Sequence, residues 1–430
     1  MQNDTSAAGN RLSRLRGVSA RGWQAAMSSV RLRQFAFSLG PTSAGLGIQF
    51  VTFAITAKGL GVAGFGTYSA ILGVCAISVE AIGLGGADLL VRATARDRGR
   101  FSRYFGNMLV LIGLTTVPVI AFSDYLVKDQ LGIGLDGWHL LMALCGETMV
   151  ARISTSIELT MVAHREVFRA SLIRFATPSV RLAAAILYFS IMGRHALPGW
   201  IEIVLVQSLL MSAMALAVAM VLYGWPKPTL LTGEIGGGAA FAVNQFSRAT
   251  QSNLDRVILA RFASAEALGL YSAGARLLQI GLFPIQVMTR ILYPEFFAQG
   301  AKGIAASRRF AVSNVPAMLA VGMLAGGAVA LAGSFAPFVL GKDFAGSRTT
   351  ALLLSFSLPL IAMQYLAADA LTGAGFQRLR ATIYGMTAVL FGLILVLGAR
   401  IGHSTGVIVA YLVGHTILMI TLWAATVVVE

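Results

Sequence analysis

Charge is what this 430-residue chain has least of: Asp, Glu, Lys and Arg together make up 12% of it. A soluble domain carries about 25%, and no block of the sequence approaches that figure, so a soluble multidomain protein is excluded. There are two cysteines, Cys75 and Cys145, both inside apolar runs. Neither a disulfide framework nor a cysteine metal site can be built from them. The five histidines show no ligand spacing, so no metal site is expected. The first 33 residues lack the short apolar run and small-residue cleavage site of a secretory signal. They carry Arg11, Arg14, Arg16, Arg21, Arg31 and Arg33. Such a start imitates an organellar transit peptide, but it reads better as a basic cytoplasmic tail lying on anionic membrane lipids.

Apolar residues are abundant: they supply 57% of the chain, and mean hydropathy is +0.76. Runs long enough to cross about 30 Å of hydrocarbon, roughly 20 residues each, occur twelve times. They lie near 34–57, 66–91, 104–122, 138–163, 168–191, 200–224, 237–261, 267–291, 310–333, 351–372, 380–399 and 405–428. These lengths select helices over barrel strands of about ten residues, giving an all-α integral membrane protein. Trp138 and Trp200, each opening a span at the outer surface, read as interfacial anchors.

The formal charge of +15 raises the question of nucleic acid, and its distribution answers it. Lys and Arg sit between apolar runs instead of on one polar domain, so no nucleic-acid partner is expected. The tail and even-numbered loops hold 19 of them and the odd-numbered loops 7. Basic loops stay inside, which places both termini in the cytoplasm.

Two nearly identical stretches, "GTYSA" at Gly66–Ala70 and "GLYSA" at Gly269–Ala273, stand 203 residues apart. Each opens a span, the second and the eighth, and each leads into a basic inner loop. An offset of six spans preserves orientation, so the halves are expected to be two parallel six-helix repeats around a central cavity. The divisions are a tail (1–33), an N-lobe (34–224), a cytoplasmic linker (225–236) and a C-lobe (237–430). The two motif copies are expected to fix the symmetry without touching cargo.

"GVAGFGTYSA", "SAEALGLYSA" and "NLDRVILARF" (Asn253–Phe262) resemble the signature of lipid-linked oligosaccharide flippases. These form the polysaccharide-transport branch of the multidrug/oligosaccharidyl-lipid/polysaccharide exporter superfamily. The resemblance implies two lobes opening alternately to each side of the bacterial inner membrane. It implies a polyprenyl-pyrophosphate-linked oligosaccharide as cargo, for O-antigen, capsule or exopolysaccharide assembly, with a polysaccharide polymerase and chain-length machinery as partners. No covalent chemistry, and so no enzyme activity or bound cofactor, is implied. A cation-coupled drug or metabolite antiporter of the same superfamily would prefer an acidic cavity. A membrane polymerase or ligase would need a larger outer loop than this chain offers.

The residues themselves point to a charged interior. Arg152, Arg181, Arg248 and Arg276 each fall near the middle of a span. A central Arg facing lipid costs about 2.5–3.5 kcal/mol, so all four should face a wet cavity or protein partners. As a group they are assigned to a cationic cavity for a pyrophosphate head, which guanidinium forks match. The alternative, four arginines paired between helices, stays open. On span seven, Asn244, Arg248, Gln251 and Asp255 recur at i, i+4, i+7 and i+11, widened by Gln245 and Ser252. This stripe is expected to line the cavity, with Asp255 orienting Arg248 or Arg276. Glu158 is expected to be paired, and Glu80 is the candidate for coupling to H⁺ or Na⁺. Pro284, following Gly281, is a candidate hinge. "GLGVAG" and "GIGLDG" match G-x-G-x-x-G but follow no strand, so dinucleotide binding is excluded.

Overall fold

Helices carry almost all of the chain in a computed structural model that describes residues 30–164 and 166–429, and no strand occurs among those residues. The basic tail before residue 30 lies outside them. Two long helical runs are each a pair of spans. Val30–Ser78 turns at Gly61, whose φ of 67° and ψ of 173° are not helical, separating span 1 (30–60) from span 2 (from 62). Gln377–Val428 turns at Gly402 and His403, dividing span 11 (377–401) from span 12 (404–428). Between them run span 3 (101–130), span 4 (137–163), span 5 (167–191) and span 6 (Leu197–Tyr223). Spans 7 (Ile235–Phe262), 8 (Ala265–Gly300), 9 (Ile304–Leu340) and 10 (347–373) complete the set of twelve. Eight described segments are long and apolar enough to cross a bilayer, and spans 7 and 8 fall outside them. Their polar side chains lower the hydropathy without shortening the helices.

Span 2 departs from the expected continuous helix. It is helical to Ser78, turns through Gly85, and resumes as Gly86–Arg96. Gly83, Leu84 and Gly85 all have positive φ (81°, 42° and 68°), which breaks the hydrogen-bond ladder. The freed Gly83 N–H donates to Thr115 Oγ1 at 2.8 Å. An apolar Gly-rich run satisfies a hydropathy reading while its backbone cannot stay helical.

The lobes meet along span 2, where only glycine fits. A Cβ on Gly66 would stand 1.8 Å from the Ala265 carbonyl oxygen, and one on Gly269 2.1 Å from that of Val62. The two motif copies therefore touch each other at the end of the seam next to Gly61. Further in, a Cβ on Gly85 would lie 2.1 Å from the Gly238 carbonyl oxygen. Apolar packing closes that end: Phe53, Phe65 and Phe344 meet edge-on at 5.5 and 6.3 Å beside Ala273 and Leu340. The inter-lobe connection is bound to the opposite end of the N-lobe. Lys227 N–H donates to Ser102 O, Leu231 N–H to Asn107 Oδ1, and Glu234 pairs with Arg92 at 2.6 Å.

Candidate functional site

A cavity of about 440 Å³ opens inside this arrangement. Its wall is built mainly by spans 1, 2, 4, 5 and 6, with spans 7 and 8 closing one side through Arg256, Ser272 and Arg276. The centre of the N-lobe wall is one hydrogen-bonded network. Tyr68 Oη donates to Glu147 Oε1 at 3.0 Å, and Arg181 Nη1 reaches the same carboxylate oxygen at 2.9 Å. Arg181 Nε donates to Gln207 Oε1 at 3.1 Å. Local helix geometry aims these groups. Glu147 sits on a π-helical turn, Cys145–Val150, whose extra residue rotates the side chains that follow. Pro178 interrupts span 5 between Arg174 and Arg181. Arg174 pairs with Glu158, a carboxylate expected to be paired but with no partner named from the sequence.

The structure divides the four mid-membrane arginines. Arg181 and Arg276 line the cavity. Arg152 is buried away from the lining, and its Nη1 donates to Glu80 Oε2 at 2.8 Å. Glu80 stands at the break in span 2, so this pair fills the interrupted helix. Arg248 is exposed and off the lining.

The span 7 stripe does not form one cavity face. Gln251 donates to the Tyr384 carbonyl oxygen at 3.0 Å and borders a separate pocket of about 30 Å³. Ser252 is exposed and bonds back to the Arg248 carbonyl, and Gln245 is half-buried. The side chain of Asn244 lies outside the described residues. Asp255 pairs with neither Arg248 nor Arg276: it is buried and accepts from Tyr271 Oη at 2.6 Å. The reason is rotational. Arg248 of the i, i+4, i+7, i+11 face is exposed, while Gln251 and Asp255 of the same face turn into the C-lobe, toward spans 11 and 8. One residue further on, Arg256 faces the cavity.

Several lining residues escaped the sequence reading. Tyr68, Ser69 and Ser272, from the two motif copies, belong to the wall, so the copies do more than fix symmetry. The signal was available in the repeat, because Tyr68 and Tyr271 are both buried and each donates to a carboxylate. Trp200, read as an interfacial anchor, is 1% exposed, packs on Tyr188 and Phe189 and forms part of the cavity wall. Trp138 is exposed. Arg256 and Gln207 had no spacing signal at all.

Two helical lobes joined by a seam of close-packed glycines, with charged, amide and hydroxyl side chains turned into one cavity, describe a multi-pass membrane protein. The sequence profile of the polysaccharide biosynthesis protein family matches residues 32–299. The chain belongs to that family. No curated protein sequence matches it. Among solved structures the fold is similar to an inward-facing multidrug resistance MATE family transporter of the MOP superfamily. That match has a TM-score of 0.72 at 13% identity, covering 89% of this chain and 93% of the other. A MOP superfamily transporter from Pyrococcus furiosus, described as having a binding pocket of reversed polarity, gives 0.60 at 14% identity, covering 90% and 93%. An outward-facing MATE family transporter gives 0.59 at 14%, covering 90% and 93%. These likenesses fix the fold.

Proposed function

We propose that this transporter is a flippase that carries a polyprenyl-diphosphate-linked oligosaccharide across the bacterial inner membrane for surface polysaccharide assembly. The observation that carries the reading is the make-up of the cavity. Four arginines and two glutamates line it, an excess of positive charge beside hydroxyls, amides, Tyr68 and Trp200. A volume of about 440 Å³ suits the head group of such a lipid. The polyprenyl tail stays in the bilayer between the lobes. A cationic drug would meet repulsion here. Reversed pocket polarity has been taken to suggest a different function for the Pyrococcus furiosus transporter, and pocket charge is used here in the same sense.

In this reading both termini are cytoplasmic, and the outer contact of Gly66 with Gly269 closes the periplasmic side. Rocking about the glycine seam then exposes the cavity to each side in turn. The glycan is passed on to a polymerase with its chain-length machinery. Glu80, held by Arg152, is assigned a structural role, so ion coupling is not placed on it. The test is the leaflet position of the lipid-linked glycan in cells lacking the protein. Glycan trapped on the cytoplasmic face supports the reading. Translocated but unpolymerised glycan would replace it with a polymerase.

A further inference from the structure

Six charged side chains line the cavity, and they are not equivalent. On the N-lobe wall each arginine has a carboxylate. Arg181 pairs with Glu147 at 2.9 Å, and Arg174 with Glu158. On the C-lobe wall neither does. Arg276 donates to Gln279 Oε1 at 2.9 Å and reaches Gln49 Oε1 at 3.5 Å, and no carboxylate among the described residues pairs with it. Arg256 is the more exceptional. Its Nε is buried and has no hydrogen-bond partner among the described residues. The neighbouring Asp255 is committed elsewhere, to Tyr271. Successive helical residues point about 100° apart, so Asp255 turns into the lobe while Arg256 turns to the cavity.

Two guanidinium groups that line one cavity with no carboxylate between them repel one another until an anion arrives. Two such cations on adjacent spans, facing one cavity, call for an anion with several oxygens. The opposite wall is neutral on balance and offers Gln207, Ser154, Ser212, Tyr68 and Trp200, the groups that suit hydroxyl-rich rings.

We infer that the cavity holds its cargo in a fixed orientation: Arg256 and Arg276 of the C-lobe form the diphosphate subsite, and the N-lobe wall forms the glycan subsite. This rests on the flippase reading for the identity of the cargo, although the anion subsite itself rests on the unpaired arginines alone. Each lobe grips a different part of the molecule, so a complete head group ties the two lobes together. A bare diphosphate or a bare sugar engages only one.

The test is titration calorimetry on the full-length protein in detergent, with farnesyl diphosphate and inorganic pyrophosphate as separate probes. Arg256→Gln and Arg276→Gln are each expected to weaken farnesyl diphosphate binding by roughly tenfold or more, since each removes charge-assisted hydrogen bonds. Arg256→Lys and Arg276→Lys keep the charge but lose the forked donors, and are expected to lose roughly three- to tenfold. These milder variants carry the test if a glutamine variant fails to fold. The double variant Glu80→Gln/Arg152→Gln, off the lining, is expected to bind as the parent does. Unchanged affinity in the Arg256 and Arg276 variants, or a larger loss in Arg181→Gln, would overturn the inference and leave the flippase reading standing. Pyrophosphate held through Arg256 and Arg276 with no binding of farnesyl diphosphate would keep the subsite and remove the lipid-linked cargo. Binding of neither probe by the parent protein would overturn both.

Discussion

The two lobes share a scaffold and differ in how they treat charge. Tyr68 and Tyr271 occupy the same place in motif copies 203 residues apart, and each donates its hydroxyl hydrogen bond to a buried carboxylate. In the N-lobe that carboxylate, Glu147, also binds Arg181, so charge is balanced within the wall. In the C-lobe the carboxylate, Asp255, takes only the tyrosine, and its second oxygen has no partner among the described residues. The same offset of 203 sets Arg256 opposite Phe53 and Arg276 opposite Gly73. Duplication thus preserved the interlobe contacts, which depend on backbone shape, while the cavity charge diverged. A repeat constrains what packs, and it leaves free what binds.

That contrast can be broken by substitution, and the largest effect falls in the balanced lobe. Glu147→Ala strips Arg181 of its carboxylate and Tyr68 of its acceptor, and should cost about 3 kcal/mol, read as a fall in the thermal unfolding midpoint. Asp255→Ala removes one hydrogen-bond acceptor and no ion pair, and should cost about 1–2 kcal/mol. Equal losses in the two variants would erase the distinction between the lobes. Gly66→Val attacks what the lobes share. It drives a side chain into the backbone of span 8 and should raise the energy of the closed outer face by about 1–3 kcal/mol. In a Thr56→Cys background lacking Cys75 and Cys145, labelling from outside by an impermeant maleimide should then rise roughly tenfold. Unaltered labelling would show that the motif contact does not hold the outer side shut.

Smaller effects sharpen the picture. Asp136 caps span 4 by accepting from the His139 backbone N–H, and Asp136→Ala should lower the thermal unfolding midpoint slightly. The hydrogen bond from the His139 side chain holds the Asp136 carboxyl below its ordinary range. A lowered carboxyl favours the fold above its unfolded value, so the cap persists into acid and weakens as pH falls through the lowered value. An unfolding midpoint for Asp136→Ala that matched the parent's at neutral pH would remove the cap from the description.

Most of the architecture was legible because a bilayer demands about 20 apolar residues per helix, and twelve such runs are there to be counted. The repeat was legible because glycine contacts tolerate no side chain, so "GTYSA" and "GLYSA" kept nearly the same letters. The break in span 2 was not, since "GLGG" is apolar by composition and non-helical only through its dihedrals. The site was legible as a set of arginines and illegible as a pattern of pairs. Whether Arg152 meets Glu80, or Arg181 meets Glu147, depends on how helices distant in sequence rotate against one another. A turn of one residue separates Asp255, bonded to Tyr271 inside the lobe, from Arg256 at the cavity.

The most direct test places the lipid-linked glycan in cells whose only copy of the protein carries both Arg256→Gln and Arg276→Gln. With the protein present in the membrane at parental levels, the glycan should stay on the cytoplasmic leaflet, as in cells without the protein. Cells carrying Glu80→Gln/Arg152→Gln should deliver it to the outer leaflet. Delivery at the parental rate by the Arg256 and Arg276 double variant would contradict an unpaired C-lobe charge as the feature that receives the cargo.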